Sequence, residues 1–196
     1  MGLGVAGYVL LVLVVILGFQ FYRDSDWFQL KCIISDVDGN RYCVRERSKL
    51  GLAADRLASV NKRMGDLVKQ VSSSYPERPN CQRLLKGYNP KAIYETLPTS
   101  ELTAYSENKG EKLAFCLDTE KRGGKLIDEN TLTFVAIHEL AHVATESIGH
   151  TEEFWRNFRF LLKEASKTGI YNPIDYKSKP QRYCGMTINE NPYFDR

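Results

Sequence analysis

The sequence predicts an α+β domain preceded by one membrane-spanning helix. Three observations carry that reading. Gly2 to Phe21 is a run of twenty residues without a charge. Apolar segments flank turn signals at Asp38-Gly39 and at Glu107 to Gly110, as paired strands do. Apolar stripes at helical spacing run through residues 52 to 71, 131 to 143 and 151 to 167.

The N-terminal run comes first. Twenty helical residues span roughly 30 Å, the thickness of a bilayer's hydrocarbon core. A cleaved signal peptide needs a basic n-region, a shorter apolar core and a small-x-small site. None is evident here, so residues 2–22 read as a retained transmembrane anchor. Tyr8, Phe21, Tyr22 and Trp27 suit the two interfaces. Gly2 and Ala6 form a small-residue pair one turn apart. Arg23, Lys31 and Arg41 follow the span. The positive-inside rule therefore places the following domain on the cytosolic side, or on the interior side of a virion.

The remainder, about 170 residues, suits one domain. Residues 28–170 are assigned to it and 171–196 to a C-terminal tail. With 43% hydrophobic and 26% charged residues, a packed core is expected and wholesale disorder is excluded. The net charge of +3 is too small for a dedicated nucleic-acid surface; it does not call for a nucleic-acid partner and leaves binding through a local patch open. The five cysteines, Cys32, Cys43, Cys81, Cys116 and Cys184, are widely spaced and odd in number. They do not read as a disulfide framework, and they lean towards a reducing compartment.

A two-residue turn at Asp38-Gly39 would pair Ile34 with Cys43 and Cys32 with Arg45. Cys32 and Cys43 would then be diagonal neighbours, with core packing the expected role and a disulfide the alternative. Residues 52 to 71 form an amphipathic helix that ends before Pro76, and a short helix is expected near Cys81 to Leu85. Thr103–Ser106 and Lys112–Leu117 read as two strands. Thr151 is positioned to cap the helix over 151 to 167, with Glu152 and Glu153 in its first turn. The aromatic residues of that helix, Phe154, Trp155 and Phe158 among them, read mostly as core.

The segment with specific chemistry is His138-Glu139-Leu140-Ala141-His142. On a helix, residues four apart share a face. Two imidazoles at that spacing can grip one Zn2+ at about 2.0–2.1 Å. Glu139 then lies beside the open coordination position, as the base for the metal-bound water. All three histidines of the chain fall within residues 138–150. Gly149 can turn the chain so that His150 supplies a third ligand. Glu146, Glu152, Glu153 and Glu164 are rival third ligands. Tyr183 is a candidate donor to an oxyanion, and the Cys184 thiolate could fill a fourth zinc position.

With Gly149-His150-Thr151-Glu152-Glu153-Phe154-Trp155 downstream, this motif resembles the WLM and SprT-like zincin metallopeptidases, above all the WLM-like proteins of large DNA viruses. Asp38 to Arg45, Ala53-Ala54-Asp55, Lys109 to Lys112 and Phe115-Cys116-Leu117 extend the resemblance. It implies a zincin-like fold with the motif on a central helix, one zinc on His138, His142 and His150, and Glu139 as general base. It also implies that the strand near Lys112–Leu117 is an edge along which a protein or peptide substrate pairs. The expected function is membrane-anchored, zinc-dependent peptide hydrolysis. The alternatives are a non-catalytic virion or binding protein with structural zinc, and a protease acting on DNA–protein cross-links.

Overall fold

The computed structural model describes residues 4–24, 30–121 and 123–195. Gly2 and Trp27, and the side chain of Arg23, lie outside the described residues. Helix α1 (Val5–Asp24) is long and apolar enough to cross a membrane, and no residue of its Val5–Tyr22 span is buried inside the chain. Beyond it lies an α+β domain.

Strands β1 (Leu30–Ile34) and β2 (Arg41–Arg45) form an antiparallel hairpin. Its register differs from the expected one. Cys32 faces Cys43 directly, and Ile34 faces Arg41. The turn is longer than Asp38-Gly39 alone. Ser35 N–H donates to the Asn40 carbonyl at 2.9 Å, and Gly39 N–H donates back to Ser35 at 3.0 Å. The Asp38 carboxylate accepts from Asn40 N–H and from the Tyr42 hydroxyl. These bonds stabilise six connecting residues and move the pairing by two positions. Cys32 and Cys43 are thus direct partners and form a disulfide.

Helix α2 (Leu50–Ser74) follows, then α3 (Pro79–Gly87). The buried stripe of α2, from Ala53 through Leu57 and Met64 to Val71, packs on the sheet and on the later helices. Strand β3 (Ile93–Glu95) lies parallel to β2. Strand β4 (Ala104–Glu107) turns back into β5 (Lys112–Phe115), which lies parallel to β3. The order is β1-β2-β3-β5-β4. Strand β4 therefore forms one edge of the sheet, and the strand expected there, around Lys112–Leu117, is internal.

Hairpin β6 (Asp118–Glu120) and β7 (Gly123–Leu126) leads into α4 (Glu129–Ala144). This helix is buried nearly all round, as a central helix must be. Helix α5 (Glu152–Lys167) packs on it. The tail then packs on the domain. Tyr171, Tyr176 and Tyr183 are each at most 2% exposed, and the tail forms hairpin β8 (Gln181–Tyr183) and β9 (Met186–Ile188). Cys184 is joined to Cys116 by a second disulfide. Cys81 is the free cysteine, and it is buried. Two disulfides correct the expectation that these cysteines form no disulfide framework.

Buried charge secures the sheet's far end. Arg45 donates to the Thr96 and Leu97 carbonyls and to Lys121 O. Arg47 pairs with Glu95 and, at 2.7 Å, with Asp118.

Candidate metal centre

Helix α4 starts where the Asp128 carboxylate accepts from Thr131 N–H at 2.8 Å, which satisfies one of the helix's free amides. From that start His138 and His142 fall on one face, and their ring centroids are 5.0 Å apart. Gly149 takes a left-handed conformation (φ 84°), where a side chain would be strained. The turn it permits returns His150 to the pair. His150 Nε2 comes within 3.1 Å of His138 Nε2. One ring nitrogen from each of the three histidines lies within 4.8 Å of the others.

Tetrahedral bonds of about 2.0–2.1 Å would hold two nitrogens about 3.3 Å apart. The donor set, three imidazoles converging from two helices' ends, fits such an ion. Three of the four rival carboxylates have partners elsewhere. Glu153 accepts from Glu146 N–H, Ser147 N–H and the Arg83 guanidinium. Glu146 pairs with Arg83. Glu164 is buried against Tyr75, Gln70 and Lys167. Cys184 is disulfide-bonded and therefore has no thiolate to offer; the proposed fourth ligand is excluded.

The three imidazoles rest on Phe154, with ring centroids 4.3–4.9 Å away. Phe154 and Phe158 are buried, as expected of core, yet both touch the histidines. Trp155 is 40% exposed and stands beside His150. This apolar floor removes water from one side of the cluster. Burial holds the His138 imidazole down at about 3, helped by His142 and His150, and holds His142 down at about 4, helped by His150 and Lys109. Both rings are therefore neutral at neutral pH, the form that binds metal.

Glu139 is 4% exposed. Burial alone raises its carboxyl from 4.5 to about 8. It faces a cleft of about 720 Å³ together with His138 and His150. One wall of the cleft is Glu101 to Ala104, the approach to the edge strand β4. A second part of the lining comes from the tail, Met186 to Glu190. Tyr183 joins the two walls, its hydroxyl donating to the Thr103 carbonyl at 3.1 Å. That hydroxyl is raised first by burial and then by the nearby Glu139 charge. Its proton is committed to Thr103, so it braces the cleft and does not point to an oxyanion.

Lys109 is the residue that sequence reasoning missed. Its ammonium donates to the carbonyls of Thr145 and Ser147 at 2.8 Å and reaches that of His142 at 3.4 Å. It thereby satisfies the exposed end of α4 and anchors the loop to His150. Gly87 and Gly110 make this possible. A Cβ on Gly87 would lie 2.7 Å from Val143 Cγ1, and one on Gly110 would lie 2.4 Å from Gly87 O. Only bare backbone lets the β4–β5 turn press on α3 and α4.

Comparison with known proteins places these features in context. No family model matches the chain. No solved structure matches it. It is 31% identical over 186 residues to the uncharacterised protein R325 of Acanthamoeba polyphaga mimivirus, covering 93% of each chain. It is 36% identical over 129 residues to the uncharacterised protein 136R of Invertebrate iridescent virus 6, covering 62% of this chain and 70% of that one. A third relative, 042R of Invertebrate iridescent virus 3, is 37% identical over 83 residues, 42% of this chain and half of its own.

Proposed function

The chain belongs to the viral family of the mimivirus protein, and because the family members named above are uncharacterised, we propose its function from the site: a zinc-dependent peptide hydrolase of zincin type, held to a membrane by α1. The observation that carries this reading is the meeting of His138, His142 and His150 at the mouth of a cleft that also holds a buried, uncompensated carboxyl, Glu139. A purely structural zinc site has no use for such a carboxyl, and it tends to be closed by a fourth protein ligand.

His138, His142 and His150 would hold the ion. Zinc bound there supplies Lewis acidity, which polarises a carbonyl and acidifies water. Glu139 accepts a proton from the attacking water and delivers it to the departing amine. Phe154 and Phe158 exclude bulk water from the histidine side. Among the described residues no strand covers the outer side of β4. Cys116 N–H already bonds Thr103 O, so by antiparallel alternation the amide and carbonyl of Ala104 face outward. An extended peptide can pair with them as an added strand, which brings it past Glu139.

The test is metal content and peptide cleavage by the full chain in neutral micelles. One zinc per chain is expected, lost in His142→Ala. Glu139→Gln is expected to keep zinc and lose cleavage. A well-folded wild type without zinc, or cleavage by Glu139→Gln at the wild-type rate, overturns the proposal. Anchoring is tested separately by resistance to alkaline carbonate extraction. Protease protection reads the topology: the basic residues after the span favour the cytosolic or virion-interior face, and the two disulfides favour an oxidising one.

A further inference from the structure

We propose that a basic cavity at the foot of the membrane helix binds the phosphate of an anionic lipid headgroup. This inference rests on the reading of α1 as an anchor, and not on the metal centre. The cavity, about 830 Å³, lies between the end of β2, the start of α2 and the β6–β7 hairpin. Tyr22, on the last turn of α1, lines it.

The register of the sheet supports the same location independently. Leu30, the first residue of β1, pairs with Arg45, the last of β2. Leu30 follows the end of α1 at Asp24 by six residues, a reach of about 20 Å at full extension. The segment from Arg45 to Lys49 is therefore held close to the surface from which the helix emerges. Domain and bilayer have little room to separate there.

Charge then selects the ligand. Five basic side chains line the cavity against two acidic ones, Glu46 and Asp118. That excess equals the net charge of the whole chain, +3. Arg45 and Arg47 are spent on the internal network with Glu95 and Asp118. The rim is different. Among the described residues no carboxylate pairs with Lys49 or Lys125, both exposed, and Arg56 has only Glu129, at 3.9 Å. Cations so placed attract the anionic headgroups of a bilayer within a Debye length. Ser48 adds a hydroxyl donor, and Leu52, 55% exposed, adds an apolar side. Charged donors beside apolar surface match a phosphodiester joined to acyl chain. An acidic peptide would need only the charges.

The test uses the full chain in neutral maltoside micelles, offered equal amounts of phosphatidylserine and phosphatidylcholine. Retained lipid is quantified by mass spectrometry. The expected result is enrichment of the serine lipid on the wild type, reduced roughly tenfold in Lys49→Gln/Lys125→Gln. A control that removes two charges outside the cavity, Lys91→Gln/Lys163→Gln, should retain the enrichment. Equal enrichment on the cavity variant and the wild type overturns the proposal. So does loss of enrichment on adding millimolar inorganic phosphate at constant ionic strength, which would assign the cavity to a free anion. Failure of the anchor reading shows in carbonate extraction instead, because micelle binding needs no bilayer insertion.

Discussion

Glu139→Gln has a consequence for stability that can be calculated without any substrate. The carboxyl is buried, none of the described residues donates a hydrogen bond to it, and its one displacing cause is loss of water. In the unfolded chain it ionises near 4.5; in the folded, metal-free chain it ionises at about 8. Below the lower value both states are protonated and there is no penalty. Between the two, the folded chain holds a proton that the unfolded chain has released, so stability falls as pH rises. The full span corresponds to at most about 5 kcal/mol, and relaxation around the charge brings the expected figure to about 2–4 kcal/mol. His138 and His142 act in the opposite sense. Held at about 3 and about 4 against an ordinary 6.5, they cost stability below 6.5 and cease to cost it as pH rises through that value. The variant retains both histidines, so subtraction removes their contribution. Urea denaturation of the metal-free full chain in neutral micelles should show Glu139→Gln gaining on wild type from about pH 4.5 to about pH 8 and then levelling. A difference that stays flat across that window would falsify the claim that burial governs this carboxyl.

Two further changes test the supports of the site. Lys109→Met removes an ammonium shared by three carbonyls while keeping a long side chain. It should cost about 1–3 kcal/mol and weaken zinc binding by roughly tenfold; unchanged zinc affinity would deny Lys109 its positioning role. Cys116→Ser/Cys184→Ser opens a link between residues 68 apart, which chain entropy values at about 4 kcal/mol. An unshifted urea midpoint would contradict that link's part in holding the tail.

Much of this molecule was legible one segment at a time. Helix α4, the Thr151 cap and the convergence on His150 follow from short-range rules: one face per four residues, and a glycine where the chain must turn. What escaped is long-range. Nothing local says that β5 takes the inner position and leaves β4 at the edge, because sheet order depends on how two crossovers pack. The ring of Phe154 reads as core and is core; only the fold brings it under the three imidazoles. Lys109 lies in a turn more than thirty residues from the carbonyls it caps. Cys116 and Cys184 belong to segments whose contact depends on the whole domain. The first hairpin was misregistered for a local reason, since the Asp38 carboxylate favours a wide turn over the tight one that Asp-Gly suggests.

The two walls of the cleft have different ages in the life of a chain. Glu101 to Ala104 and the histidines leave the ribosome before Tyr183, Cys184 and Met186 to Glu190. During synthesis, then, the metal ligands exist while one side of the groove does not. Residues 5 to 24 emerge earlier still. A chain made in this order gathers its three histidines before its groove is complete, so the cleft stays unfinished until the tail has been added.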